Sequence, residues 1–224
     1  MVLYTNTNNS NLYYLSDNQN SKGNGMNLGI IIGHTEEAQG ARTYNGVSEL
    51  KYNRFIAHNL KRLHNYHKIN GHASFSKLLV ISRNEGWPSV QNQIKANNID
   101  ITIELHFNSF DRPARGVETL AISGDLASED FAQHISSKIA KEYSSPLRHQ
   151  NGVYDVSRKE RGYNNLSVVK AAGVQTAVLV EPGFLNFPSE EAIALVEEPL
   201  RYANILYRAI ETYINKGKNL NAKC

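Results

Sequence analysis

The chain has 224 residues, of which 41% are hydrophobic and 20% are charged, with a formal net charge of +3. This length predicts one domain, with or without a tail, and the composition is ordinary for a globular protein. The charge is small and no cluster of five or more Lys and Arg residues occurs, so the sequence argues against a nucleic-acid partner.

The N-terminal 26 residues are rich in Asn, Ser and Gly and are interpreted as a polar extension. Residues 1–20 lack the basic start and apolar stretch of a signal peptide. No apolar run in the chain approaches the roughly 18 residues of a membrane span, so we expect no membrane insertion. We therefore expect the protein to stay in the cytoplasm until it leaves by lysis or by a dedicated export route. The only cysteine, Cys224, excludes an intramolecular disulfide.

From Asn27 onward, apolar runs and helical repeats alternate along the chain. The run Leu28–Ile32 predicts a buried strand, and Ser48 is a capping residue for a helix that ends near Gly71. Further strands are predicted at 78–81, 99–107, 117–122 and 174–181, and further helices at 89–97, 125–143 and 189–214, the last with a potential break at Pro199.

Alternating strands and helices predict an α/β fold with a single open, twisted, mostly parallel sheet and helices on both faces. We expect this domain to span residues 27–216, between the polar extension 1–26 and a flexible C-terminal tail, 217–224. In sheets of this kind, functional groups collect beyond the carboxyl ends of the strands.

Four residues with metal-binding or acid/base chemistry lie at these predicted strand ends. His34 follows the first strand, His106 closes the third and Glu181 closes the last, while Glu49 lies in the first turn of the first long helix. Two histidines and one glutamate can hold a zinc ion and leave a position for water. A further glutamate beside that water can move its protons. The sequence therefore predicts a zinc hydrolase site.

The same four residues lie in four of five sequence blocks that occur in a fixed order. The blocks are Gly33-His34 with Gly40-Ala41; Glu49 with Asn53; Arg83 with Ala96-Asn97 and Asp100; His106-Phe107-Asn108 with Gly116-Val117-Glu118; and Ala177–Phe184 with Asn186. Together they resemble the Amidase_3 family, the zinc-dependent N-acetylmuramoyl-L-alanine amidases of bacterial cell-wall remodelling and phage lysis. The resemblance covers about residues 27–214.

The resemblance implies a role for each of the four residues. His34, Glu49 and His106 would bind one Zn²⁺ per chain, and Glu181 would be the catalytic acid/base. The substrate would be peptidoglycan, cut at the amide between N-acetylmuramic acid and L-alanine of the stem peptide, as in an endolysin or a remodelling amidase. The sequence does not predict an oligomeric state.

Three further residues have two interpretations each. Glu104 replaces the serine of many relatives and alternates in phase with His106, so it either supports the metal site or forms a structural ion pair. Asn108 either positions substrate or holds its loop. Arg161 either contacts carboxylates of the muropeptide or belongs to a solvated charge run.

Other features of the sequence leave alternative sites and functions open. A separate group of histidines is interpreted as surface residues, because it lacks a carboxylate partner; it comprises His64, His67 and His72. The alternative enzyme is a zinc peptidase that cuts stem or cross-bridge peptides. The alternative outside enzymes is a wall-binding module without catalysis, and Glu181 argues against it because a pure binder has no use for that carboxylate.

Overall fold

The computed structural model describes residues 25–221, with side chains through residue 216. Within this range six strands alternate with six helices, which confirms the predicted α/β class. The strands are β1 (Asn27–Ile32), β2 (Lys77–Ile81), β3 (Ile101–Leu105), β4 (Glu118–Ile122), β5 (Val153–Val156) and β6 (Thr176–Glu181). The helices are α1 (Glu49–Ile69), α2 (Gly86–Ala96), α3 (Leu126–Tyr143), α4 (Tyr163–Ala171), α5 (Glu190–Glu197) and α6 (Pro199–Asn221).

The six strands form a single sheet in the order β2-β1-β3-β6-β4-β5. Four of the five pairings are parallel, and only β4 with β6 is antiparallel. The prediction of one open, mostly parallel sheet is therefore confirmed. The central strands β1, β3 and β6 are neighbours and run the same way, so their carboxyl ends meet at one edge.

Helices cover both faces of the sheet, and β1 shows how the sequence divides between them. Leu28, Ile30 and Ile32 belong to the larger core cluster, which includes α1, α3, α5 and α6. Ile31 belongs to the second cluster, which includes α2 and α4. Successive side chains of a strand point to opposite faces. A strand buried on both faces therefore has an almost continuous apolar sequence.

Two predicted helix starts agree with observed caps, whereas α2 begins at Gly86, three residues before the predicted start at Ser89. Ser48 accepts a hydrogen bond from the backbone N–H of Lys51 at 3.4 Å, and Asp125 caps α3 in the same way through Ser128. The predicted break at Pro199 is observed, because α5 ends at Glu197 and α6 begins at Pro199, with one residue between them. A proline suits a first helical position, where its missing N–H has no intrahelical partner in any case.

Two elements were not predicted, and both are short. Strand β5 has four residues, of which only Val156 is buried, and helix α4 buries only Leu166 and Val169. Neither provides the apolar run or repeated helical spacing that marks the longer elements.

The predicted extension lies almost entirely outside the described residues, whereas the backbone of the predicted tail is described through residue 221. Residues 1–24 and 222–224 are not described, and the backbone of α6 continues to Asn221, beyond the expected domain end at residue 216. The domain boundaries remain predictions. Among the helices of residues 25–221, none combines the length and hydropathy needed to cross a membrane.

Candidate metal-dependent active site

His34 is turned toward the edge of the sheet by the backbone at the end of β1. The preceding residue, Gly33, donates a hydrogen bond to the carbonyl of Leu105 on β3 at 3.0 Å. A Cβ at Gly33 would collide with that carbonyl and with the ring of His106. His34 itself has a φ of 71°, a left-handed conformation that is uncommon outside glycine. Such conformations occur often at functional sites, where surrounding contacts maintain them.

Glu49 is the buried centre of a three-residue cluster. Its Oε2 lies 3.0 Å from Nε2 of His34, and its Oε1 lies 2.9 Å from Nδ1 of His106. Two backbone N–H groups, from Ala41 and Phe107, also donate to the carboxylate, at 3.2 and 3.0 Å. The position in the first turn of α1 places the negative charge at the positive end of the helix dipole.

The structure thus brings together the three residues that were predicted as metal ligands. One ligand atom from each of His34, Glu49 and His106 lies within 4.8 Å of the others, a grouping that could hold a metal ion. Two imidazole nitrogens and one carboxylate are a donor set that zinc enzymes use, with a fourth position left for water. The residues present therefore fit the metal that the sequence implies.

The charges of this cluster are strongly coupled. Burial raises the pKa of Glu49, but hydrogen bonds from His106 and His34 outweigh it and lower the pKa to about 2. Burial lowers the pKa of His106, but hydrogen bonds to Glu104 and Glu49 raise it to about 10. The pocket therefore favours positive charge at His106, and a cation bound there would replace the proton.

Glu104 connects His106 to a second group of polar residues. Its Oε1 lies 3.0 Å from Nε2 of His106 and accepts hydrogen bonds from Arg83 at 2.6 Å and Asn165 at 2.9 Å. Arg83 is held in turn over the ring of Trp87, 4.3 Å from its centroid. The ion-pair interpretation of Glu104 is therefore observed with Arg83, while its contact with His106 leaves a supporting role at the metal site as a prediction.

Glu181 lies next to His106 because β3 and β6 pair in register up to Leu105 and Val180. Its Oε1 accepts a hydrogen bond from Arg161 at 2.5 Å. Its Oε2 is buried and has no hydrogen-bond partner among the described residues. Burial raises the pKa of Glu181, and the nearby charges of Arg161 and His106 oppose that effect. A buried carboxylate oxygen with no partner is costly and therefore points to a functional role.

Glu118 is a buried carboxylate at the same edge, and it was not predicted as a site residue. It is the first residue of β4 and pairs in register with Glu181, because β4 runs antiparallel to β6. Burial raises the pKa of Glu118, but its donor and cationic neighbours lower it. Those neighbours are Asn108, Arg148 at 3.2 Å, His149 at 2.7 Å and Arg161 at 2.5 Å.

Asn108 and Arg161 both have structural partners here. Asn108 donates its side chain to Glu118, and its backbone N–H donates to Gly183 on the loop after β6 at 2.9 Å. Asn108 therefore holds two loops together. Arg161 uses its two terminal amino groups to bridge Glu118 and Glu181, so it is not simply part of a solvated charge run.

The alternative histidine group does not form a site. His64 is buried at 1% exposure and stacks on Phe75 with ring centroids 4.5 Å apart, so its interpretation as a surface residue is wrong. Its position on the inner side of α1 explains the difference. His67 is partly exposed and lies 3.7 Å from Glu211, and His72 is exposed.

Comparison with known proteins identifies the family. The model of the Amidase_3 family, described as N-acetylmuramoyl-L-alanine amidase, matches residues 28–212. The chain therefore belongs to this amidase family, and the predicted enzyme class is confirmed. No sequence among proteins of curated function matches the chain.

Solved amidase structures share the fold. The catalytic domain of the amidase CwlV from Bacillus (Paenibacillus) polymyxa var. colistinus is 20% identical, with a TM-score of 0.63, and the match covers 85% of this chain and 99% of that one. An amidase from Clostridium difficile 630 is 19% identical, with a TM-score of 0.63 and coverages of 85% and 98%. The catalytic domain of the CD27L endolysin, which targets Clostridia difficile, is 23% identical, with a TM-score of 0.60 and coverages of 83% and 96%.

Proposed function

We propose that this chain hydrolyses the amide between N-acetylmuramic acid and L-alanine in peptidoglycan, using one Zn²⁺ held by His34, Glu49 and His106. Family membership supports the choice of bond. The observation that carries the mechanism is the buried, unpartnered Oε2 of Glu181 next to His106. The shared fold with an endolysin catalytic domain supports bacterial cell-wall lysis as one setting for this activity, beside wall remodelling.

The amide substrate is a poor electrophile and water is a poor nucleophile at neutral pH. When bound, zinc would lower the pKa of a ligated water from about 15.7 toward ~7 and polarise the substrate carbonyl. The three ligands, two neutral imidazoles and one carboxylate, carry a total charge of −1. They would therefore leave part of the ion's positive charge available to stabilise negative charge on the substrate carbonyl oxygen.

Glu181 provides the proton transfers in this proposal. Its Oε2 takes a proton from the attacking water and then delivers it to the nitrogen of the departing L-alanine. Arg161 holds Oε1, so the carboxylate keeps one orientation while the other oxygen acts. General acid/base catalysis of this kind contributes about 10²–10⁴-fold to a rate.

Glu104 and Arg83 orient His106 in this proposal. A ligand histidine commonly places its second ring nitrogen against a carboxylate, which sets the ring orientation and raises the basicity of the ligand. Nδ1 of His106 faces Glu49, the other proposed ligand, while Nε2 faces Glu104. The Arg83 ion pair and the Asn165 hydrogen bond hold Glu104 in that position.

Analysis of the ends released from purified peptidoglycan tests the reaction. We expect new L-alanine amino termini from the wild-type protein. Glu181→Gln should keep zinc and fold but lose about 10²–10⁴-fold in kcat, because an amide cannot accept the proton. Glu129→Gln is the matched control, since Glu129 binds the backbone of Gly124 at the opposite edge of the sheet. New amino termini from other residues would indicate the alternative peptidase, and a fully active, zinc-loaded Glu181→Gln protein would exclude Glu181 from the mechanism.

Metal analysis tests the cofactor separately. We expect about one zinc per chain, with activity lost on chelation and restored by added zinc. His34→Ala and His106→Ala should each lose the metal, because each removes one of the three proposed protein ligands. Wild-type protein that contains no zinc and remains active with a chelator would contradict the proposal.

A further inference from the structure

Arg148 lies beside the site, and its guanidinium group is held in place yet only partly used. Its Nε donates to Glu118 at 3.2 Å, and the group lies over the ring of Phe184, 4.8 Å from the centroid. The side chain is 37% exposed. Within residues 25–216, neither of its terminal amino groups has a hydrogen-bond partner. Arg148 therefore presents a fixed, unoccupied pair of N–H donors.

In Arg161, unlike Arg148, both terminal amino groups already have hydrogen-bond partners. One terminal amino group of Arg161 binds Glu181 and the other binds Glu118. Those two contacts hold the proposed catalytic carboxylate, so binding of an additional anion by Arg161 would compete with them. Of the two arginines on Glu118, only Arg148 has its terminal edge available.

The charge that faces solvent at this place is positive. The carboxylate side chains of Glu118 and Glu181 are 0% and 7% exposed, whereas those of Arg148 and Arg161 are 37% and 45% exposed. His149, a third neighbour of Glu118, is also partly exposed and stacks on Tyr154 at 4.4 Å. The negative charges are buried beneath the arginines, and an approaching ligand meets the cationic groups first.

The proposed role of Glu181 determines on which side of the site the stem peptide lies. Glu181 protonates the L-alanine nitrogen, so the peptide that begins at this nitrogen must leave the site past Glu181. Glu118 pairs with Glu181 on the neighbouring strand β4, and Arg148 is bound to Glu118. The stem peptide therefore extends toward the side of the site where Arg148 lies.

We propose that Arg148 is a substrate-specificity residue, and that its two terminal amino groups bind a carboxylate of the stem peptide just beyond L-alanine. This inference rests on the proposed amidase function. A guanidinium edge and a carboxylate form two parallel charge-assisted hydrogen bonds, which give both affinity and orientation. The contacts with Glu118 and Phe184 orient the group before the substrate arrives, which reduces the entropic cost of binding.

Two substrates that differ in a single charge test the proposal. They are N-acetylmuramoyl-L-alanyl-D-glutamate γ-methylamide, with the α-carboxylate free, and the same molecule with an α-carboxamide. Hydrogen bonds between charged groups are stronger than those between neutral groups, and the partial exposure of Arg148 limits this gain because solvent screens the pair. We expect wild-type kcat/KM to favour the carboxylate by about tenfold, mainly through KM.

Arg148→Gln should bring this preference ratio close to one, and Arg148→Lys, which keeps the charge without the planar edge, should give an intermediate ratio. Arg201→Gln is the matched control, because Arg201 also lies over an aromatic ring and pairs with a glutamate but is located on α6. It should keep the wild-type ratio. Equal kcat/KM for the two substrates in wild type, or an unchanged ratio in both Arg148 variants, would overturn the inference.

A binding measurement distinguishes this inference from the proposed reaction. Calorimetry with wild-type protein and the released peptides, L-alanyl-D-glutamate γ-methylamide and its α-carboxamide, requires no hydrolysis. Tighter binding of the carboxylate that is lost in Arg148→Gln supports the inference, even if neither muramoyl substrate is cleaved. Equal binding of the two peptides overturns it, even if both muramoyl substrates are cleaved.

Discussion

Gly40 provides the sharpest test of the metal site, because its lack of a side chain leaves room for two of the ligands. Gly40 has a φ of +73° and lies in the loop between β1 and α1. A Cβ there would be 2.6 Å from Cδ2 and Nε2 of His34 and 2.7 Å from Oε2 of Glu49. Non-bonded carbon atoms are most stable about 3.5–4.0 Å apart, so both ligands would have to move by roughly 1 Å.

Gly46 provides the matched control, because it lies in the same loop with a similar backbone and open surroundings. Its φ is +89°, and a Cβ would have no heavy atom within 4 Å. Alanine at either position adopts the left-handed conformation at a cost of about 1–2 kcal/mol, so this backbone strain is common to both variants. The difference between Gly40→Ala and Gly46→Ala therefore reports the clash with His34 and Glu49.

We expect Gly40→Ala to weaken zinc binding by about 100-fold relative to Gly46→Ala. Metal–ligand distances in functional sites vary by only about 0.2 Å, so a displacement near 1 Å removes much of the coordination. The assay is zinc competition with a chelator of known affinity, with the free energy of unfolding of both metal-free variants measured by denaturant. Equal zinc affinity in the two variants would refute the assignment of His34 and Glu49 as ligands.

Three further predictions concern the surroundings of the site and the stability of the fold. Glu104→Gln should weaken zinc binding by about 10–100-fold, because it removes the carboxylate that orients His106, and unchanged affinity in chelator competition would contradict that role. Burial lowers the pKa of His64 to about 4, below its unfolded value near 6.5, so the unfolded chain binds more protons between these pH values. The free energy of unfolding should therefore fall by roughly 3 kcal/mol from pH 6.5 to 4. In His64→Phe, urea unfolding should show a decrease smaller by about this amount, and the same pH dependence in both proteins would contradict the assignment to His64. A chain that begins at Gly25 should fold and cleave peptidoglycan at a similar rate, because the residues before it have a polar composition, and an inactive or insoluble product would place them within the domain.

Much of the fold was predictable because the central strands are buried on both faces. A continuous apolar run such as Leu28–Ile32 has few alternatives to a buried strand when glycine and polar residues flank it. The end strand β5 has no such signal, since it pairs only with β4 and its side chains are mostly half-buried or exposed. Strands that are buried on both faces therefore have a clear sequence pattern, and the partly exposed end strand does not.

The site was predictable to the extent that it depends on parallel strands. His34, His106 and Glu181 follow the carboxyl ends of β1, β3 and β6, which are neighbours in the sheet. Glu49 reaches them because the loop before α1 folds back, with Glu49 N–H donating to Ala41 at 2.8 Å. Pattern alone does not reveal this return of the chain, and the resemblance to the amidase family supplied the choice of ligand.

The positions of Glu118 and Arg148 at the site could not be predicted in this way, because they result from the one antiparallel strand pairing. In a parallel β4, its first residue would lie at the opposite edge of the sheet, far from Glu181. Because β4 is reversed, Glu118 pairs with Glu181 instead. Strand β5 is parallel to β4, so the start of β5 and the loop before it, with Arg148, are brought to the same edge. A single reversal in strand direction thus adds both the buried Glu118 and Arg148 to a site that otherwise consists of strand ends.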